Sequence, residues 1–210
     1  MTDTPVAHLT EEEFLSQTSG FEPFRFTLSG KKGTIVFPDF NAASVEDARA
    51  VEAKINNAID PLDAMQQWLS AEDYQKLVSA NLNARKINAL FSMAWTYTQG
   101  DKRARKSITA SALDAECQDP KPYTFVLRNS KRIIFPDFAS GSMEDVREFY
   151  RVAETNRNSP EVVLQHWIGK DSFENLKSLD LNARQLADLT TRAIQHYEAT
   201  RGTPGESRAS

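Results

Sequence analysis

Residues 24–40 read FRFTLSGKKGTIVFPDF and residues 123–138 read YTFVLRNSKRIIFPDF, so Phe37-Pro38-Asp39-Phe40 returns letter for letter as Phe135-Pro136-Asp137-Phe138. In each stretch apolar and polar residues alternate (Phe24, Phe26, Leu28; Tyr123, Phe125, Leu127), a polar run follows, and a second apolar run ends at proline. Period-two alternation on both sides of turn chemistry marks a β-hairpin, and proline, lacking an N–H, ends its second strand. The second copy is one residue shorter, and the difference falls between the strands, at Ser29 to Gly33 against Arg128 to Lys131. Turns are where length changes cost least.

The echo continues downstream. Ser44, Glu46, Asp47 and Arg49 recur 98 positions later as Ser142, Glu144, Asp145 and Arg147. Pro61, Trp68, Leu77 and Leu82-Asn83-Ala84-Arg85 recur 99 positions later as Pro160, Trp167, Leu176 and Leu181-Asn182-Ala183-Arg184. A repeat of this length is too large for a solenoid unit and matches a duplicated small domain. Four helical signals follow each hairpin. Ser44 heads a stripe of Ala48, Val51, Ile55 and Ile59, matched by Ser142 with Val146, Phe149, Tyr150 and Ala153. Asp60-Pro61 and Ser159-Pro160 read as a cap followed by proline at the first helical position. Ser70 starts a short third helix, and Asn83 and Asn182 cap the longest, which Gly100 and Gly202 close.

The expected fold is therefore α+β, mainly α: two tandem copies of a small module, each a β-hairpin followed by about four helices. Residues 1–22 form an N-terminal segment whose Thr10 and Glu11 to Glu13 signal a short helix, and residues 23–100 form module 1. Residues 101–121 read as a linker with a helical turn near Ser111 to Glu116, residues 122–202 as module 2, and residues 203–210 as a flexible tail.

Composition bounds the function. The chain has 210 residues, 40% of them hydrophobic and 26% charged, with a net charge of −4, as in an ordinary soluble globular protein. No apolar run reaches the ~20 residues of a membrane span, and the acidic start has no signal-peptide core, so a cytoplasmic location is expected. The acidic balance argues against nucleic acid, although Lys102 to Lys106 is locally basic. Cys117 has no second cysteine to pair with, and His8, His166 and His196 lack metal-ligand spacing. There is no Gly-rich phosphate loop, HExxH, GxSxG or Cys/His arrangement. The acids Glu46, Asp47, Glu72, Asp73, Glu144 and Asp145 fall in helical first turns, where the macrodipole favours them. Neither an enzyme, a cofactor nor a metal is expected.

What remains is interaction. Asp39 and Asp137 either organise the turn by accepting backbone N–H groups or receive a partner's cation. Trp68 and Trp167 lie on apolar helix faces and read as core. Arg85 and Arg184 stand in a first turn, where a cation is mildly unfavourable, so each is expected to meet a carboxylate, in a partner or within the chain. Phe37, Phe40, Arg85, Phe135, Phe138 and Arg184 are the partner-binding candidates. A two-stranded sheet with free edges suits a module that grips another chain.

The order of phenylalanine-rich hairpin, Pro-Asp turn, Asp-Pro helix with an aromatic, short acidic-started helix and Ile87-Asn88-Ala89-Leu90 resembles the tail assembly chaperones of long-tailed phages infecting actinobacteria. His196-Tyr197 and the ending Gly205-Glu206-Ser207-Arg208-Ala209-Ser210 are similar to the end of that family's shorter product, upstream of a programmed frameshift. The chain departs from the pattern in carrying two units, and Leu186-Ala187-Asp188-Leu189 stands where a second INAL would be. The resemblance implies a non-enzymatic chaperone that keeps the tape measure protein soluble and extended while the tail tube polymerises. It further implies the major tail tube protein, the longer frameshifted form and the chain itself as partners, and a place in the host cytoplasm but not in the mature virion. Two other readings stay open: a structural virion or adaptor protein of the tail, and a DNA-binding regulator using the linker with Arg85 and Arg184.

Overall fold

The computed structural model describes residues 22–199 apart from 31, 32, 102, 129, 157 and 158. The helix expected near Thr10 and the tail 203–210 lie outside the described residues, as does the residue Gly202. Within them the chain is mainly helical with small sheets, an α+β fold.

The alternation after Pro23 forms β1 (Phe24–Thr27) and β2 (Thr34–Phe37), paired antiparallel with Phe24 opposite Phe37 and Phe26 opposite Ile35. All four of these side chains are buried, and Phe24 meets Phe37 edge to face. A 3-10 turn at Phe40–Ala42 leads to α1 (Val45–Asn56), α2 (Pro61–Trp68), α3 (Ala71–Ser79) and α4 (Ala84–Thr98). Their starts are set by side chains that accept otherwise unpaired amides: Ser44 from Asp47, Asp60 from Leu62 and Asp63, Ser70 from Asp73, and Asn83 from Lys86. Each such cap is worth about 1 kcal/mol. Gly100, at φ 82°, takes the left-handed conformation that ends α4.

Residues 101–121, expected as a linker, carry more structure than that. Ser107–Thr109 forms β3, which pairs parallel with β1 and extends the sheet to the order β2-β1-β3. Helix α5 (Ala110–Glu116) follows at the expected place, capped by Thr109, and the segment buries Ile108, Leu113 and Cys117 in the first core. The segment is thus part of the first half rather than a spacer.

The second half repeats the order of elements: β4 (Tyr123–Val126), β5 (Arg132–Phe135), a 3-10 turn at Phe138–Ser140, α6 (Met143–Thr155), α7 (Pro160–Ile168), α8 (Lys170–Lys177) and α9 (Ala183–Ala199). Three details differ from expectation. Ser159 adopts φ −134° and ψ 68°, unlike the extended Asp60, and its hydroxyl caps nothing, leaving Pro160 to start α7. Tyr150, expected on the α6 stripe, is 46% exposed. Ile59 is not on the α1 stripe, because α1 stops at Asn56 so that Asp60 can extend and cap α2, and Ile59 is left 87% exposed.

The same contact ties each hairpin to its helices. The Trp68 indole donates to the Pro38 carbonyl at 2.8 Å, and the Trp167 indole donates to the Pro136 carbonyl at 2.8 Å. Each ring also packs edge to face on the phenylalanine before that proline, Phe37 or Phe135. The tryptophans are core, as expected, yet their polar edges hold the turn. Trp68→Phe and Trp167→Phe should each lower unfolding free energy by ~1–3 kcal/mol in urea titrations, combining a lost hydrogen bond with a partial cavity. An unchanged midpoint for both variants would remove the indole bond from this account.

Candidate interaction surfaces

The residues around the two Pro-Asp turns make different contacts in the two halves. In both, the aspartate accepts the amide two residues on, Asp39 from Asn41 and Asp137 from Ala139, each at 3.0 Å. Asp137 also receives Arg85: its Oδ2 accepts from Arg85 Nη2 at 2.6 Å, with the two side chains only 6% and 7% exposed. Beside this pair the Ala84 amide, the first of α4, donates to the Gly141 carbonyl at 2.9 Å. A helix's first amides have no partner within the helix, so the second half completes the start of α4. Arg85, poorly placed for the helix dipole, is compensated by a buried carboxylate.

The seam extends to α6. Met143 and Val146 are buried within the core of the first half, not of their own. Arg147 reaches back to Asp60 through Nε to Oδ2, and also contacts Glu144. Burial pushes the Asp60 carboxyl up, but the hydrogen bond from Arg147, the amides of Asp63 and Leu62 and the guanidinium charge outweigh it and hold the group below its ordinary 3.8. Burial likewise raises the Cys117 thiol, which keeps it protonated and unreactive.

The two sheets present different surfaces. β1 is flanked by β3, and at the outer edge of β2 the Val36 amide is taken by Asp73 Oδ2 at 3.1 Å. The hairpin β4-β5 has only two strands, so among the described residues no strand covers either outer edge, and Ser172 stands where Asp73 does in the other copy. On its outward face Thr124 lies opposite Ile134 and Val126 opposite Arg132, and both Val126 and Ile134 are exposed. Apolar residues in the outward phase of a strand are the sequence signal for such a surface.

Of the six candidate residues, Phe37, Phe40 and Phe135 are buried in aromatic clusters, and no partner can reach them without unfolding the turn. Phe138 is half-buried against Phe149 and Trp167. Arg85 meets a carboxylate within the chain, and Arg184 is exposed. The Arg147–Asp60 pair and the burial of Met143 had no local sequence signal, since both depend on how the halves meet. Among the described residues no group of three or more His, Cys, Asp or Glu could hold a metal ion. A pocket of about 280 Å³ lined by Met93, Thr96, Asp101, Arg103, Ala104, Arg105 and Glu116 gathers neither cysteine nor histidine. No family model matches the chain, and neither a curated protein nor a solved structure does.

Removing one member of the buried pair leaves an uncompensated group. Arg85→Met should therefore cost ~3–5 kcal/mol in chemical denaturation, while Arg85→Met combined with Asp137→Leu should cost distinctly less. Equal losses would mean that the pair is not the determinant. The Asp60 contribution is complete above pH 3.8 and fades as pH falls through the lower folded value, so Asp60→Asn should flatten the acid limb of stability against pH. An acid limb of unchanged slope would contradict the pairing.

Proposed function

We propose that the chain is a non-enzymatic tail assembly chaperone of a long-tailed phage, holding the tape measure protein soluble and extended in the host cytoplasm until tube subunits polymerise around it. The order of motifs and the GESRAS ending support the family reading. The geometric support is the β4-β5 hairpin, whose outward face presents Val126 and Ile134 beside edges that no further strand covers among the described residues. The apolar stripe of an amphipathic helix finds there a shallow, reversible seat, and a long helical protein offers many such stripes. The tail tube protein and the longer frameshifted form are further partners under this reading, and release at polymerisation leaves the chain out of the mature virion.

The DNA-binding reading loses ground on a specific observation. Arg85 is buried against Asp137, Arg105 pairs with Glu116, and Lys106 pairs with Glu22, so three of the cations it relied on are engaged within the chain, while Arg103 and Arg184 stay exposed.

Co-expression with the tape measure protein tests the proposal. The wild-type chain should raise the soluble fraction of that protein and co-purify with it at high salt, since apolar capture is weakly screened. The pair Val126→Glu and Ile134→Glu, both on an exposed face, should abolish rescue while leaving the melting temperature of the isolated chain within a few degrees. A tape measure protein that stays insoluble with the wild-type chain and its frameshifted form both present would sink the proposal.

A further inference from the structure

The contact between the halves has two sides, and the sequence repeat supplies each side twice. One side is the start of α4: Leu82, Asn83, Ala84 and Arg85. The other is the Asp137 turn with the start of α6: Asp137, Ala139, Gly141 and Met143. Their counterparts are Leu181, Asn182, Ala183 and Arg184 at the start of α9, and Asp39, Asn41, Ala43 and Val45 at the start of α1. These counterparts are not occupied by each other. Ala183 and Arg184 are exposed where Ala84 and Arg85 are buried. Val45 is 70% exposed where Met143 is 6% exposed. Among the described residues Arg184 makes no ion pair, and the Asp39 carboxylate accepts only the Asn41 amide.

We infer that the start of α9 of one copy docks on the Asp39 turn of a second copy, with Arg184 paired to Asp39 and Ala183 N–H given to the Ala43 carbonyl, repeating between chains the contact that Arg85 and Asp137 make within one. The occupant is a second copy because this chain already holds one worked instance of the same residues in contact, complementary in charge and in its helix-start amide. The start of α9 is preformed for it: Asn182 Oδ1 accepts from Gln185 and Gln185 Oε1 accepts from Asn182, each at 3.0 Å, which leaves Arg184 facing outward at a rigid end. Asn41 is larger than its counterpart Ala139, but its amide is drawn to the Thr98 carbonyl at 2.9 Å.

The contact is head to tail, so each copy offers one donor side and one acceptor side, and assembly yields a ring or an open helical filament rather than a closed two-fold dimer. It is weaker than its internal model, because Ser159 replaces Asp60 and the second ion pair has no counterpart for Arg49. The internal contact is also tethered, whereas the one between chains depends on concentration. The inference goes beyond the chaperone reading and does not rest on it, since it concerns the chain alone.

Sedimentation velocity of the full chain tests it. The wild type should grow beyond a dimer with concentration up to about 1 mM. Arg184→Glu, Asp39→Arg and Val45→Glu should each raise the dissociation constant by about a hundredfold. Arg184 and Val45 are exposed, so those variants keep the fold, and Asp39→Asn retains an oxygen for the Asn41 amide while losing the charge. Mixing Arg184→Glu chains with Asp39→Arg chains should restore assembly, because each contact in an alternating array is again oppositely charged. A wild type that stays monomeric throughout, assembly indifferent to Arg184→Glu, or folded variants that fail to associate on mixing would each overturn the inference.

Discussion

The carbonyl of the proline that ends each hairpin is the point on which the rest of the structure turns. Proline stops the strand by withholding an N–H, which frees its own carbonyl at the edge of the core. The Trp68 and Trp167 indoles take those carbonyls, and in doing so bring the second long element of each half against the sheet. The next residue, aspartate, then folds the chain into a 3-10 turn by accepting an amide. A hairpin too small to be stable alone is thereby anchored to helices, in both halves, by the same polar bond within an aromatic cluster.

The two turns, identical in their four letters, serve different ends. Asp137 has a second oxygen to spare, and the start of α4 supplies both an amide and a guanidinium for that corner. Asp39 has the same spare oxygen in a half-buried setting, with no guanidinium beside it among the described residues. The division extends to the sheets, because β3 and Asp73 cover the edges in the first half while among the described residues no further strand pairs with β4 or β5. The first half is thus finished by a third strand and a helix carboxylate, and the second half carries the exposed apolar strand face.

Hairpins, caps and the long helical stripes were legible in the sequence because they are local: alternation, Ser or Asp before acids, and three-to-four spacing are all written within a few residues. β3 was not, since Ser107-Ile108-Thr109 offers one apolar residue and no period to read. Its partner β1 is some eighty residues away and only tertiary pairing makes it a strand. The oddity of Arg85 in a first turn did point to a carboxylate. Which carboxylate it meets, Asp137 at a separation of 52 residues, is decided by how the halves pack. The cap failure at Ser159 shows the opposite limit, where the right residue type stands in a backbone that does not use it.

One helix start is completed by the other half while its counterpart is left open, and amide hydrogen exchange on the dilute chain measures this most directly. The Ala84 amide, bonded to the Gly141 carbonyl, should exchange only through opening of the seam, with protection near that of the core. The Ala183 amide, at the same position in α9, should exchange at close to the rate of an unprotected group. Comparable protection of the two, or fast exchange at Ala84, would contradict the account.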